Sequence, residues 1–409
     1  MKVAIVCDWL TNVGGAEKVL LRIHQMFPEA PIYTSKYDPK GIDWFKDAEV
    51  RTGWLQVFPS KLRRVLGPLR QRYFSKLDLS EYDLIISVTG AEAKSVKSGK
   101  WLADNGKKSK NPQGIHISYC HVPTQYYWQM YDDYIKNPGF GILNPLMRFG
   151  LKILVKPLRK ADFNAALKPD KFITISTYAA HQIRHYYTRE SIIIHPPVSV
   201  KSFADHKAGK SQTKEHNKSA KSQAEVIHSS VENSDSETRT KPYIITSRQV
   251  TWKHHNIAIK ACLTLNRPLV IIGDGPEHKN LVKLANNSPL ISFFPTMEQP
   301  ELKNHLKKAR AFLFPSLEPF GIAPVEALAA GCPVIAYEQG GSEDFIKDGE
   351  NGVFFAKQST RSLIDAIKRF EKLEERLDKA KIATSALPFS EENFEKAIKK
   401  EVKNAQKSI

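Results

Sequence analysis

Short runs of β-branched and aliphatic residues recur along the chain, each closing on small or polar residues and separated by stretches of helical length. The first is Val3–Cys7, followed by a helical stretch over 14–25 that opens on two glycines, then by 31–34, 82–88, 114–120 and 171–176. Runs this short, alternating with helix-length segments, predict β-α-β units and a parallel sheet covered on both faces. A second series of the same kind starts at 242–247 and continues through 269–273, 291–294, 311–315 and 333–336, which predicts a second parallel sheet. Between the two series, 201–241 turns to Lys, Ser, Glu, His and Asn with almost no large apolar residue. Such a segment cannot bury enough surface to offset its ordering entropy and reads as a disordered insertion or linker. The last stretch is a polar, Lys-rich helix with Phe394, Ile398 and Val402 on one face, placed to lie back across the first domain. The expected architecture is α/β, with two Rossmann-like doubly wound domains at 1–200 and 242–390, the linker at 201–241 and the helix at 391–409.

The chain has 409 residues, 41% of them hydrophobic and 25% charged, the balance of a globular protein with cores that need no staple. The run before Asp8 is too short for a signal peptide and lacks a cleavage site. No uninterrupted apolar stretch reaches the roughly 18 residues that would read as a transmembrane helix. Cys7, Cys120, Cys262 and Cys332 are scattered with no C-x-x-C pair, so they read as reduced core thiols of a cytoplasmic protein. The formal charge of +18 calls for an anionic partner: nucleic acid, lipid head groups or phosphorylated substrates. No nucleic-acid motif of the usual kinds accompanies it, so nucleic acid is not expected.

The chemistry concentrates in 316–336. A strand ends at Pro315, a loop carrying Glu318, Phe320 and Gly321 follows, and Pro324 suits the first position of a helix that stops at Gly331. Free backbone N–H groups at that helix start, near Gly321, Ile322 and Ala323, would face the ends of the strands, where open α/β sheets take their ligands. Glu318 and Glu326 bracket the loop, and carboxylates accept hydrogen bonds from the vicinal hydroxyls of a sugar and a ribose. As isolated residues they would equally serve as a surface acid and a helix-dipole partner.

Glu318 and Glu326, separated by seven residues around a Phe-Gly turn, resemble the paired glutamates of the retaining glycosyltransferases of family 4, which have the GT-B fold of two domains facing across a cleft. The resemblance implies that Glu318 contacts the transferred sugar and Glu326 the nucleotide ribose, with Phe320, Gly321, Ile322 and Ala323 in the donor-binding turn. Arg248 and Lys253, with four residues between them after the first strand of the second series, resemble the family's cations on the donor diphosphate. Fixed cations of this kind stabilise a leaving group whose charge grows as the glycosidic bond breaks. Gly14 and Gly15 are similar to the family's N-terminal loop beside the donor phosphate, and are also what an ordinary strand-to-helix turn requires. His121, in a His-x-Pro context at the end of a strand, matches a histidine the family sets beside the transferred sugar. Gly273 and Gly275 resemble the turn near the nucleotide base, and Gly340 with Gly341 the family's glycine pair. The catalytic set implied is His121, Arg248, Lys253 and Glu318. No Asp-x-Asp motif follows a strand, so no metal and no cofactor are expected beyond the nucleotide-sugar substrate.

The aromatic-rich run after His121, with Trp128 and Tyr131, resembles mannosyltransferase-like members, which puts GDP-mannose ahead of UDP-sugars as donor. The segments 61–76 and 146–160 hold cations and large apolar residues without an acid. They read either as cationic amphipathic helices for the inner face of an anionic membrane or as a solvated basic face packed on the domain core. With the first reading, the acceptor is a glycan or lipid-linked intermediate of cell-envelope polysaccharide synthesis. A sugar-phosphate epimerase of the same fold and a non-catalytic nucleotide-binding module are the competing readings.

Overall fold

The structure is a computed structural model and describes residues 1–60, 66–136, 144–203 and 241–407. The chain forms two compact units, Met1–Pro197 together with Glu391–Ile409, and Val198–Ser390.

The first unit is built on seven parallel strands, β1 (Val3–Cys7), β2 (Ile32–Thr34), β3 (Val50–Thr52), β4 (Leu84–Thr89), β5 (Ile115–Cys120), β6 (Lys171–Thr174) and β7 (Ile192–Ile193), in the order β3-β2-β1-β4-β5-β6-β7. Val3 to Cys7 are all buried, with Ile5 in register with Ile32 on one side and Ile86 on the other. A continuous apolar run at this position is what a central strand covered by helices on both faces demands. The edge strands β3 and β7 were not expected: β3 is half-exposed to exposed with only Val50 apolar, and β7 is a pair of exposed isoleucines, too short to stand out as a strand.

The final helix, Glu391–Lys407, buries Phe394, Ile398 and Val402 in this same unit. Its charged flank is tied down as well, Arg22 pairing with Glu391 (3.3 Å) and Glu395 (2.8 Å) and Lys171 with Glu401 (3.0 Å). The helix Gly67–Lys76 departs from the picture of a solvated basic helix. Arg70 is buried against Glu92 at 2.9 Å and Phe74 is in the core, which leaves Arg72 and Lys76 as its exposed cations. The rest of that basic segment, 61–65, lies outside the described residues.

The second unit has six parallel strands, β8 (Tyr243–Thr246), β9 (Leu269–Ile272), β10 (Ile291–Phe294), β11 (Phe312–Phe314), β12 (Val334–Tyr337) and β13 (Gly352–Phe355), in the order β10-β9-β8-β11-β12-β13. In both sheets the first strand of the unit lies at the point where the strand order reverses, between β1 and β4 and between β8 and β11. Open α/β sheets bind ligands beyond the carboxyl ends of the strands at that point. Residues 201–203 differ from the expected linker, since Val200–Phe203 is a helical turn anchored by the buried Val200 and Phe203. The remainder of the low-complexity segment, 204–240, lies outside the described residues. All four cysteines are free and buried. No helix among the described residues is long and apolar enough to cross a membrane.

Candidate active site

In the second unit the segment leaving β8 carries Ser247, Arg248 and, after the 3₁₀ turn Thr251–Lys253, the ammonium of Lys253. The segment leaving β11 carries Ser316 and Glu318. Because β8 and β11 are neighbours, with Phe312 in register with Ile244, the two segments meet, and Lys253 forms an ion pair with Glu318. Their side chains are only 13% and 17% exposed. The Ser316 hydroxyl donates to the same Glu318 oxygen at 2.8 Å, and the Lys253 ammonium lies 4.6 Å from the centre of the Trp252 ring. Ser247, Lys253, Glu318, Gly321 and Ala323 share the lining of one small cavity of about 30 Å³. Arg248 stands on the same loop with its side chain exposed.

The helix after Glu318 is Ile322–Ala329, two residues earlier than the sequence places it. Pro324 is its third residue, a position in the first turn where a missing N–H again costs nothing. Gly321 caps it at φ 113° with no capping side chain, so the orphan amides of the first turn meet no side-chain acceptor at the cap. Ile322 and Ala323 form that first turn, and Glu326 is buried one turn further along. Phe320 differs from the expectation: its ring is packed inward against Phe345 (5.5 Å) and Phe389 (5.7 Å). It anchors the turn from within the core.

Two glycine turns brace these segments. Gly341 donates its N–H to the Glu318 carbonyl at 2.8 Å, and a Cβ there would stand 2.2 Å from the Phe320 Cα. On the other side, Gly273 and Gly275 follow β9, and a Cβ on Gly275 would stand 2.2 Å from the Gln249 carbonyl oxygen. Gln249 is the residue that sequence reasoning missed. Fully buried, it donates from its side chain to the Gly273 carbonyl and shares a 2.8 Å hydrogen bond with His278 Nδ1. Its backbone N–H donates to Asp274 and its carbonyl accepts from Glu277. Its partners lie 24 and more residues away, so the only signal was a polar residue between Arg248 and Lys253.

In the first unit, Gly14 is the extended N-cap of the helix Gly15–Met26, again without a side-chain cap. His121 follows β5, donates its backbone N–H to Thr89 at 2.8 Å and sets its ring against Tyr119 at 5.6 Å. Its Nε2 is buried without a hydrogen-bond partner among the described residues, and burial lowers its pKa to about 4, so the imidazole is neutral at pH 7. Asp8, at the end of β1, accepts hydrogen bonds from the Thr89 hydroxyl and from the N–H groups of Gly90 and Ala93. It thereby fixes the loop on which His121 rests. Burial, followed by the charge of Glu92, raises its pKa. The sequence offered only an acid at a strand end as a hint of this. Among the described residues, no group of three or more His, Cys, Asp or Glu is arranged to hold a metal ion.

A family model described as "Glycosyl transferases group 1" matches residues 216–385. A D-inositol 3-phosphate glycosyltransferase of Nocardioides sp. is 32% identical over 108 residues, 24% of this chain and 24% of the relative. A GDP-mannose-dependent alpha-(1-6)-phosphatidylinositol monomannoside mannosyltransferase of Mycobacterium tuberculosis is 30% identical over 137 residues, 30% of this chain and 36% of the relative. The chain thus spans about a quarter to a third of the length of these curated relatives. The crystal structure of Anabaena HepE in complex with UDP aligns over 99% of this chain and 100% of its own, with a TM-score of 0.65 at 16% identity, which shows a shared fold of the GT-B type. Residues 216–385, which include both members of the Lys253–Glu318 pair, are thus similar to the glycosyl transferases group 1 family.

Proposed function

We propose that the protein is a retaining glycosyltransferase that moves a hexosyl group from a nucleotide diphosphate sugar to a glycan or lipid-linked acceptor. The observation that carries this reading is the pairing of Lys253 with Glu318 at the ends of adjacent strands, beside an uncapped helix N-terminus. A cation, a carboxylate and free amides at one switch point match the three needs of such a donor: diphosphate charge, sugar hydroxyls and a growing negative charge on the leaving oxygen. Lys253 and Arg248 take the diphosphate, Glu318 the hydroxyls of the transferred sugar, and Glu326 the ribose. The glycines at 14 and 15 border the donor phosphate and His121 the transferred sugar. In the reaction the bond from the anomeric carbon to the diphosphate oxygen breaks and a bond to the acceptor oxygen forms on the same face. The departing phosphate oxygen takes the acceptor's proton, and the nucleoside diphosphate leaves.

GDP-mannose is the favoured donor, from the aromatic-rich run after His121 and from the name of the mycobacterial relative; the UDP bound to HepE keeps a UDP-sugar second. The proposed setting is the cytoplasmic face of an anionic membrane, where lipid-linked acceptors are presented. A thermal-shift and turnover screen with GDP-mannose, UDP-glucose, UDP-N-acetylglucosamine and UDP-galactose tests the reading. One donor is expected to stabilise the protein and to be slowly hydrolysed, with NMR of the released sugar giving the retained anomer. No response to any of them, with or without a lipid extract, overturns the transferase.

A further inference from the structure

The long helix Asn144–Ala166 buries side chains only in its second half; its leading half is tied by a hydrogen bond from Arg148 to the Lys136 carbonyl. Its buried residues are Val155, Asp162, Ala165 and Ala166. Asp162 alone accepts hydrogen bonds from Lys94 (2.6 Å), Thr124 (2.8 Å), Trp128 (2.7 Å) and Tyr187 (2.7 Å). The leading half is different. From Asn144 to Leu154 no residue is buried, although the stretch is rich in large apolar side chains. Leu146 and Phe149 are each 64% exposed, Ile153 57% and Leu154 44%.

At 100° per residue, Leu146, Phe149 and Ile153 fall on one face, opposite Val155 and Asp162. A core-packing helix would turn that face inward, and large apolar residues on a soluble surface are normally scattered singly. Arg148, Lys152, Lys156 and Lys160 run beside this row at four-residue spacing, all exposed, and no acid occurs from 144 to 161. The lysines choose the occupant. Protein–protein interfaces are depleted in Lys, whereas interfacial helices carry Lys and Arg on the polar flank of an apolar face.

We propose that the leading half of Asn144–Ala166 docks in the plane of an anionic lipid bilayer. The apolar row enters the boundary between head groups and acyl chains, and the lysines meet the lipid phosphates and acidic head groups. The inference rests on the transferase reading only for the benefit of such docking, which is access to a membrane-borne acceptor; the attachment itself is independent of sugar transfer. It also separates two segments that look alike in sequence, since the helix Gly67–Lys76 spends Arg70 and Phe74 on its own core.

The test is flotation of the full chain with phosphatidylcholine vesicles prepared with and without phosphatidylglycerol. Binding is expected only with the anionic lipid. The double variant Phe149→Asp/Ile153→Asp should weaken it about tenfold or more, and each of Lys152→Gln and Lys156→Gln about fivefold. Lys253→Ala, which disables the proposed donor site, should float as the unaltered protein does, so that failure of the docking and failure of the transferase are told apart. Equal binding by the unaltered protein and Phe149→Asp/Ile153→Asp, or no binding to anionic vesicles, overturns the proposal. So does a dimer in solution that this double variant dissolves, which would assign the face to a second copy of the chain.

Discussion

Lys253 and Glu318, 65 residues apart, pair between the ends of adjacent parallel strands, where strand order reverses. The ion pair holds both side chains in place. Lys253→Ala should lower kcat by about 100-fold or more, the cost of losing a preorganised charge on a leaving group. Glu318→Gln should cost comparable activity while leaving diphosphate binding largely intact. In thermal melts each single variant should be less stable, because one charge then stays half-buried without its partner. The double variant should lose less than the sum of the two singles; strict additivity would mean that the pair is not coupled.

Gln249 makes its contribution one step back from the proposed donor site. Its side-chain bonds to Gly273 and His278 tie the loop bearing Arg248 and Lys253 to the turn after β9. Gln249→Leu leaves those groups unpaired in a buried place, which should cost about 1–3 kcal/mol of stability. The variant should raise the KM for the donor more than it lowers kcat, since the cations remain but their loop is no longer seated. An unchanged KM in a folded variant would count against a positioning role.

Much of this was readable from the sequence because parallel strands covered on both faces must be apolar runs, as Val3–Cys7 is. The strands that escaped, β3 and β7, are edge strands of two or three residues whose outward positions bear no such constraint. The separation of seven residues between Glu318 and Glu326 is local and could be read directly. Long-range pairing could not. Arg70 sits in a stretch that reads as basic surface, yet Glu92 in the turn after β4 draws it inward. Nothing local distinguishes Gln249 from an exposed glutamine, since Gly273 and His278 reach it only through the fold.

Gly341 tests the bracing of the acid loop from the opposite side. A methyl group at this position would stand 2.2 Å from the Phe320 Cα and 2.6 Å from its backbone nitrogen, neither of which belongs to a side chain that can swing away. Gly341→Ala should therefore displace the segment carrying Glu318, whose carbonyl accepts the Gly341 N–H. The expected outcome is a lower Tm together with a loss of donor-induced stabilisation in thermal shift. Ser342→Ala, which removes only a hydroxyl bonded to the Tyr337 carbonyl, should lower Tm without abolishing the donor response.

Stability should fall as pH drops from about 6.5 toward about 4. Burial lowers the pKa of His116 to about 3 and those of His121 and His255 to about 4, from an ordinary value of 6.5. Above 6.5 these groups are neutral whether the chain is folded or not, and they cost nothing. As pH falls below 6.5 the unfolded chain binds protons that the folded chain refuses, and each such proton removes about 1.4 kcal/mol per pH unit. Asp8 opposes this, because its raised pKa lets the folded state hold a proton that the unfolded chain has already released. Two of the histidines, His116 and His121, belong to the first unit and one to the second. If the units unfold in separate steps, the transition of the first should therefore shift more steeply with pH. Urea melts at pH 7.5 and 4.5 would measure it, and His121→Asn should flatten the slope of the first unit by about one proton. A slope unchanged by that substitution would mean that His121 titrates alike in the folded and unfolded chain.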